Sequence, residues 1–240
     1  MRLNHFLAQA GAASRRSSET LIRAGRVRVN DRIVADPAFT VSEADRIQVD
    51  GEPLALSATR DFTYIMLHKP VGVISAMIPS RVQEPCLKDL VQVPERIFPV
   101  GRLDQDSCGL ILLTNDGELA FRLTHPRFHV SKEYLVRVNR VIHPREWEKL
   151  ARGAVIDDRP VQVEEIIAVS QNQLRIVLHE GRKHIVRRLM GALGFHVTEL
   201  KRTRIGSLHL GKLGRGRWRK LKPNEIKLLK DVCGEANQVR

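Results

Sequence analysis

Asp104 and Asp106 lie in FPVGRLDQDSCGLILLTNDGELAFRL, residues 98–123, the stretch richest in residues that could do chemistry. Pro99 and Gly101 mark an irregular loop, Gly109 opens the apolar run Leu110 to Leu113, and Thr114-Asn115-Asp116-Gly117 turns the chain toward a helix. An acidic side chain on a loop beside a buried strand is well placed to be held rigidly at a cleft. The same spacing also fits a solvated turn aspartate. The D-x-D pair offers a second chemistry, because two carboxylates so spaced bind a divalent cation in some sugar-nucleotide transferases.

Two further groups stand out. Tyr134 alternates with Val136 and Val138, which suits a strand residue facing a core. In residues 182–193, Ile185, Val186, Leu189, Met190 and Leu193 form one apolar arc of a helix, with Arg187 at its edge. Packing can anchor that arginine while its guanidinium reaches a neighbouring site, a phosphate or solvent. His125 and His129 are four apart, but Pro126 between them disfavours a continuous helix and so a zinc pair. The sequence contains no HExxH, GxSxG or P-loop pattern.

The elements that must position these residues divide into two sets. Leu3, Phe6, Leu7 and Ala10 have helical spacing, Gly11 stops the helix, and Ser14 can cap a second one carrying Arg15 and Arg16 outward and Leu21 and Ile22 inward. Gly25 ends that helix. Strands are expected at Val27–Val29, Arg32–Val34 and Arg46–Val49, with turns at Asn30-Asp31 and Asp50-Gly51. Residues 51–61 lack periodicity and read as a linker between a module at 1–55 and a larger domain at 62–240. In the larger domain, β runs at Tyr64–Leu67, Leu110–Leu113, Tyr134–Val138, Glu165–Val169 and Leu174–Leu178 interleave with helical stretches at Gly117–Leu123, Pro144–Arg152, Lys183–Leu193 and Pro223–Val232. No glycine-rich strand-to-helix phosphate loop is present, so the expected fold is α+β: a small helix-hairpin module, then a mixed, mostly antiparallel sheet with flanking helices.

Composition narrows the partners. The 240 residues carry a net charge of +13, and 42% of them are hydrophobic, enough for a buried core. Residues 201–222 hold nine Lys or Arg and no acid, and residues 14–32 hold six Arg against Glu19 and Asp31. Two basic clusters far apart in the chain favour a polyanionic partner. Cys86, Cys108 and Cys233 form no CxxC pair and no disulfide framework, and no run approaches the roughly 18 apolar residues of a membrane span. The expectation is a cytoplasmic protein that does not engage a membrane.

GAASRRSSETLIRAGRVRVND, within residues 2–50, resembles the α-L RNA-binding module named after a small-subunit ribosomal protein. GRLDQDSCGL in its wider stretch closely resembles the catalytic motif of pseudouridine synthases, more narrowly the family that modifies ribosomal RNA. SKEYLVRV (131–138) is similar to that family's tyrosine segment and EGRKHIVRRL (180–189) to its basic helix, in the same order along the chain. Two positions depart from the family pattern. Ser107-Cys108-Gly109 stands where a Thr-Ser-Gly trio is frequent, and His184-Ile185 interrupts the basic helix.

The resemblance implies isomerisation of a uridine in ribosomal RNA, with a lean to the large subunit, by an enzyme needing no cofactor and no metal. It makes Asp104 the nucleophile, attacking either the ribose anomeric carbon or carbon 6 of the base. A carboxylate suits this, being nucleophilic yet able to leave again. It makes Tyr134 the residue packing against the target uracil and aiding late proton removal, and Arg187 the cation paired with Asp104. Arg102 is implied to enter the RNA as the target nucleotide is displaced. RNA contacts are expected at Arg15, Arg16, Arg26 and Arg28 in the module, and at Arg102, Arg182, Lys183, Arg188 and Arg202 in the larger domain. The partner is free ribosomal RNA or an assembling subunit, met by a monomer. A non-catalytic RNA-binding assembly protein is the alternative, but such a protein has no need of an ionised aspartate facing anionic RNA.

Overall fold

The Ser14 hydroxyl accepts the backbone N–H of Ser17 at 3.0 Å, so the second helix starts where an N-cap can satisfy an otherwise orphaned donor. In the computed structural model, which describes residues 1–56, 61–79 and 81–235, the chain divides into two units, Met1–Asp61 and Phe62–Arg240. The first unit holds α1 (Leu3–Gln9), α2 (Arg15–Arg23), β1 (Val27–Val29), β2 (Arg32–Ile33), β3 (Ile47–Val49) and β4 (Glu52–Leu54). The strands form an antiparallel sheet in the order β2-β1-β3-β4. Asn30 and Asp31 both take positive φ, at 49° and 66°, the conformation that a two-residue hairpin turn demands. Leu3, Phe6, Leu7, Ile22, Val27, Val29 and Ile47 close its core. The expected linker at 51–61 begins too early, because Glu52–Leu54 is a strand paired with β3; its residues 57–60 lie outside the described residues.

The second unit contains, in chain order, β5 (Tyr64–Lys69), α3 (Leu87–Leu90), β6 (Phe98–Val100), β7 (Cys108–Thr114), α4 (Gly117–Thr124), β8 (Lys132–Val138), α5 (Pro144–Arg152), β9 (Ala154–Ile156), β10 (Arg159–Val161), β11 (Glu165–Ser170), β12 (Gln173–Leu178), α6 (Ile185–Ala192), β13 (Val197–Ile205), β14 (Leu208–His209), β15 (Trp218–Lys220) and α7 (Pro223–Glu235). The main sheet runs β11-β12-β8-β13-β7-β5-β15, with β6 on β7 and β14 on β13. Its pairings are antiparallel except β13 against β7, so the sheet is mixed and mostly antiparallel.

Strands β5 and β7 are buried at every residue because the sheet is covered on both faces. Ile65, Leu67, Ile111 and Leu113 point into one core with Val136, Ile185, Val186 and Leu189. The alternating set, Met66, Leu110 and Leu112, points into a second core with Leu119, Leu123 and Leu229. Trp218 packs against the first of these.

The parallel seam depends on one glycine. Gly109 has φ +115°, and a Cβ built there would lie 2.3 Å from the carbonyl oxygen of Arg202 and 2.5 Å from its nitrogen. Its register partner across the seam is Arg202 itself, so the close approach belongs to the pairing of β7 with β13. Strand β13 was not expected from the sequence. Its VTELKRTRI reads as part of a basic surface, yet Val197, Leu200, Arg202 and Ile205 are buried, and two register shifts against β8 break the two-residue alternation.

Candidate active site

The loop carrying Asp104 is clamped from beneath by the chain that leaves β5. Ser75 Oγ donates to the carbonyl of Leu103 at 2.6 Å and accepts its N–H at 3.0 Å. Gly72 N–H donates to Gln105 O, and the Gln105 amide donates back to Gly72 O. Lys69, fully buried, donates from Nζ to the carbonyls of Pro70 and Ser107, both at 2.9 Å. Ser107 N–H bonds to Asp104 O at 3.1 Å. These contacts fix the backbone on both sides of Asp104. The segment Lys69-Pro70-Val71-Gly72 was missed from sequence; its signal was a lysine ending an apolar strand directly before a Pro-x-Gly turn.

Asp104 lines a cleft of about 200 Å³. Its walls come from the 100–104 loop, the end of α4, strands β8 and β13, and the segment entering α6. Asp104 is the sole carboxylate among the described residues lining this space, against Arg102, Lys132, Arg182, Lys183 and Arg202. Tyr134 of β8 lies on the same wall, 7% exposed, as the cross-strand partner of Arg202 on β13. The expected catalytic aspartate and tyrosine therefore share one cavity.

The third expected catalytic residue is placed differently. Asp104 Oδ1 pairs with Nε2 of His184 at 3.2 Å, not with Arg187. Arg187 donates to Val197 O at 2.9 Å and to Asp106 O at 3.1 Å, and it pairs with the Asp106 carboxylate at 3.0 Å. The cause is local backbone geometry. His184 adopts a left-handed conformation, φ 54°, at the N-cap of α6, which brings its ring to Asp104. Arg187, nearly a turn further on, reaches the far end of the loop and straps it to β13. The D-x-D pair is also divided, Asp104 facing the His184 ring and Asp106 the Arg187 guanidinium, and no group of three or more His, Cys, Asp or Glu that could hold a metal ion occurs among the described residues.

Several expected RNA contacts are engaged within the fold. Arg202 is 2% exposed, with Nε donating to Leu110 O at 2.8 Å, so it is a cleft and seam residue and not a surface phosphate contact. Arg188 makes a bidentate pair with Asp157, and Arg182 pairs with Glu180 and donates to Ile156 O at 2.6 Å; together they tie α6 to the β9–β10 hairpin. Arg102 and Lys183 are exposed at the cleft. In the first unit Arg15, Arg16, Arg26 and Arg28 are all exposed; Arg26 pairs with Asp50, and Arg28 donates to Asp31 O.

Two covered sheet faces, a rigid loop presenting one carboxylate to a cationic cleft, and a separate arginine-bearing module define the class of an RNA-acting enzyme. Residues 63–192 match the model of the RNA pseudouridylate synthase family and residues 1–53 that of the S4 domain. An uncharacterized RNA pseudouridine synthase of Aquifex aeolicus is 40% identical, the match covering 98% of this chain and 95% of that protein. The ribosomal large subunit pseudouridine synthase B of Bacillus subtilis is 37% identical over 97% and 96% of the two chains. A crystal structure of a pseudouridylate synthase superposes with a TM-score of 0.69 at 30% identity, covering 95% of this chain and 99% of that one. The chain belongs to the RNA pseudouridylate synthase family, with an S4 domain ahead of its catalytic unit.

Proposed function

We propose that this enzyme isomerises a uridine of large-subunit ribosomal RNA, with Asp104 as nucleophile and no cofactor. The observation that carries the reading is the position of Asp104, the sole carboxylate among the described residues of a cleft that also holds five Lys or Arg side chains and Tyr134. The large-subunit substrate is supported by the 37% identity to the Bacillus subtilis protein named for that substrate.

The chain's own residues suffice for each step. An ionised Asp104, held by the loop contacts and by His184, attacks the anomeric carbon or carbon 6 of a uridine drawn out of its stack. The freed base turns and rejoins the sugar through carbon 5. In the anomeric route the bond to Asp104 breaks as carbon 5 joins the sugar; in the carbon-6 route the N1–sugar bond breaks before the base turns and the bond to Asp104 breaks last. In both, loss of the carbon-5 hydrogen as a proton restores the aromatic ring, with Tyr134 assisting. Arg102, exposed at the cleft mouth, can fill the space that the displaced nucleotide leaves.

Separate incubation with unmodified large- and small-subunit ribosomal RNA, followed by carbodiimide mapping of pseudouridine, tests the substrate. A new pseudouridine in large-subunit RNA alone is expected; modification confined to small-subunit RNA would contradict the assignment.

A further inference from the structure

Lys132 and Arg202 are the most deeply buried cations of the cleft, 9% and 2% exposed, and neither has a carboxylate partner among the described residues. Lys132 spends one of its three donors, on Val130 O at 3.0 Å. Arg202 donates to Leu110 O and Arg102 O, while its Nη2, fully buried, has no partner. Removing two cations from water is costly, and here they also oppose each other: burial, then the charge of Arg202, pulls the pKa of Lys132 down to about 8. A fold that buries two cations side by side with donors left over is built to receive negative charge between them.

Geometry indicates which negative charge. Lys132 and Tyr134 are two residues apart on β8 and share a face, and Arg202 is the cross-strand partner of Tyr134. The pair therefore lies where the uracil ring would stack. A phosphodiester must enter and leave the site along the strand, which suits the exposed Arg102 and Lys183; a flipped base alone reaches this depth. The base is neutral until Asp104 acts. Attack at the anomeric carbon expels the ring with the N1 electron pair, which delocalises onto O2 and O4. Attack at carbon 6 moves the C5–C6 π pair through C4 onto O4. Either route places negative charge on a uracil carbonyl oxygen.

We infer that Lys132 and Arg202 form an oxyanion site for the uracil carbonyls, donating hydrogen bonds that strengthen as the base becomes anionic. The inference rests on the reading of Asp104 as nucleophile. It assigns the two residues a catalytic role separate from RNA affinity.

Single-turnover tritium release from ribosomal RNA carrying uridine labelled at carbon 5, together with the Kd for that RNA, tests it on wild type, Lys132→Met, Lys132→Arg and Asp104→Asn. Lys132→Met is expected to lower the rate at saturating RNA about 100-fold or more, with Kd changed less than about threefold, and Lys132→Arg to recover part of the rate. Thermal melts of each variant separate this from misfolding; should Lys132→Met melt early, Arg202→Lys, which keeps a cation but withdraws the spare donor, must show the same loss of rate with unchanged Kd. An unchanged rate for these variants, or a weakened Kd with a normal rate at saturation, overturns the oxyanion site, the second pattern marking a phosphate contact. Full activity of Asp104→Asn would overturn the nucleophile assignment instead, and the two failures are read from different variants.

Discussion

Lys69 is a buried cation whose position serves the Asp104 loop, since its ammonium holds the carbonyls of Pro70 and Ser107 on either side of the clamp. Burial lowers its pKa to about 8 from the usual 10.5, only partly opposed by electrostatic interaction with Cys108, Asp104 and Asp106. Between those two values the unfolded chain keeps a proton that the native state has released, so this group makes the protein more stable as pH rises through about 8 toward 10.5. Below about 8 both states are protonated and the contribution is constant. Relative to Lys69→Met, which cancels the other titrations, wild type should gain roughly 1–2 kcal/mol between pH 7.5 and 9.5 in chemical denaturation. A stability difference that stays flat across that range would contradict the account of Lys69 as a buried, desolvated cation.

At the scale of elements, the seam between β7 and β13 joins the strand that follows the Asp104 loop to the wall that carries Arg202. Gly109→Ala would put a methyl group about 2.3 Å from the Arg202 carbonyl, with backbone on both sides and no flexible group to yield. The expected cost is about 3 kcal/mol or more, from overpacking and a strained φ together, read as a fall in the denaturant midpoint. A variant as stable as wild type would show that the seam relaxes without strain. The strands that the sequence did reveal, such as Leu110–Leu113 and Leu174–Leu178, are apolar runs with clear ends. Strand β13 stayed hidden because charged residues occupy it and its bulges destroy the alternation. That Asp104 and Tyr134 line one cleft agrees with the two motifs that single them out in the sequence, which carry no information on what else lines it. The partner of Asp104 was not, since the left-handed backbone at His184 decides whether the histidine or Arg187 reaches the carboxylate, and no side-chain pattern encodes that choice. Arg182, Arg188 and Arg202 read as RNA contacts because the acids and carbonyls that hold them lie at least 20 residues away in the chain, apart from Glu180 beside Arg182.

For the whole molecule, charge and division into two units govern how RNA is held. The net charge of +13 and the exposed arginines of the first unit should make RNA affinity fall steeply with salt, by about 0.7 log units in Kd per phosphate contact for each tenfold rise in salt on single strands. Removing Met1–Asp61 should leave the second unit folded, because it has its own two cores, while lowering both affinity and that salt slope. A truncated protein with the full slope would place the phosphate contacts in the catalytic unit alone. No helix among the described residues is long and apolar enough to cross a membrane.

The central claim is that Asp104 carries out the isomerisation, and the most direct measurement is tritium release from ribosomal RNA labelled at carbon 5 of uridine, with wild type and Asp104→Asn compared at equal RNA occupancy. Forming pseudouridine must expel that hydrogen. Release by wild type with none above background from Asp104→Asn, both proteins binding the RNA alike, is the predicted result. Comparable release from the two proteins would contradict it and move the nucleophile elsewhere.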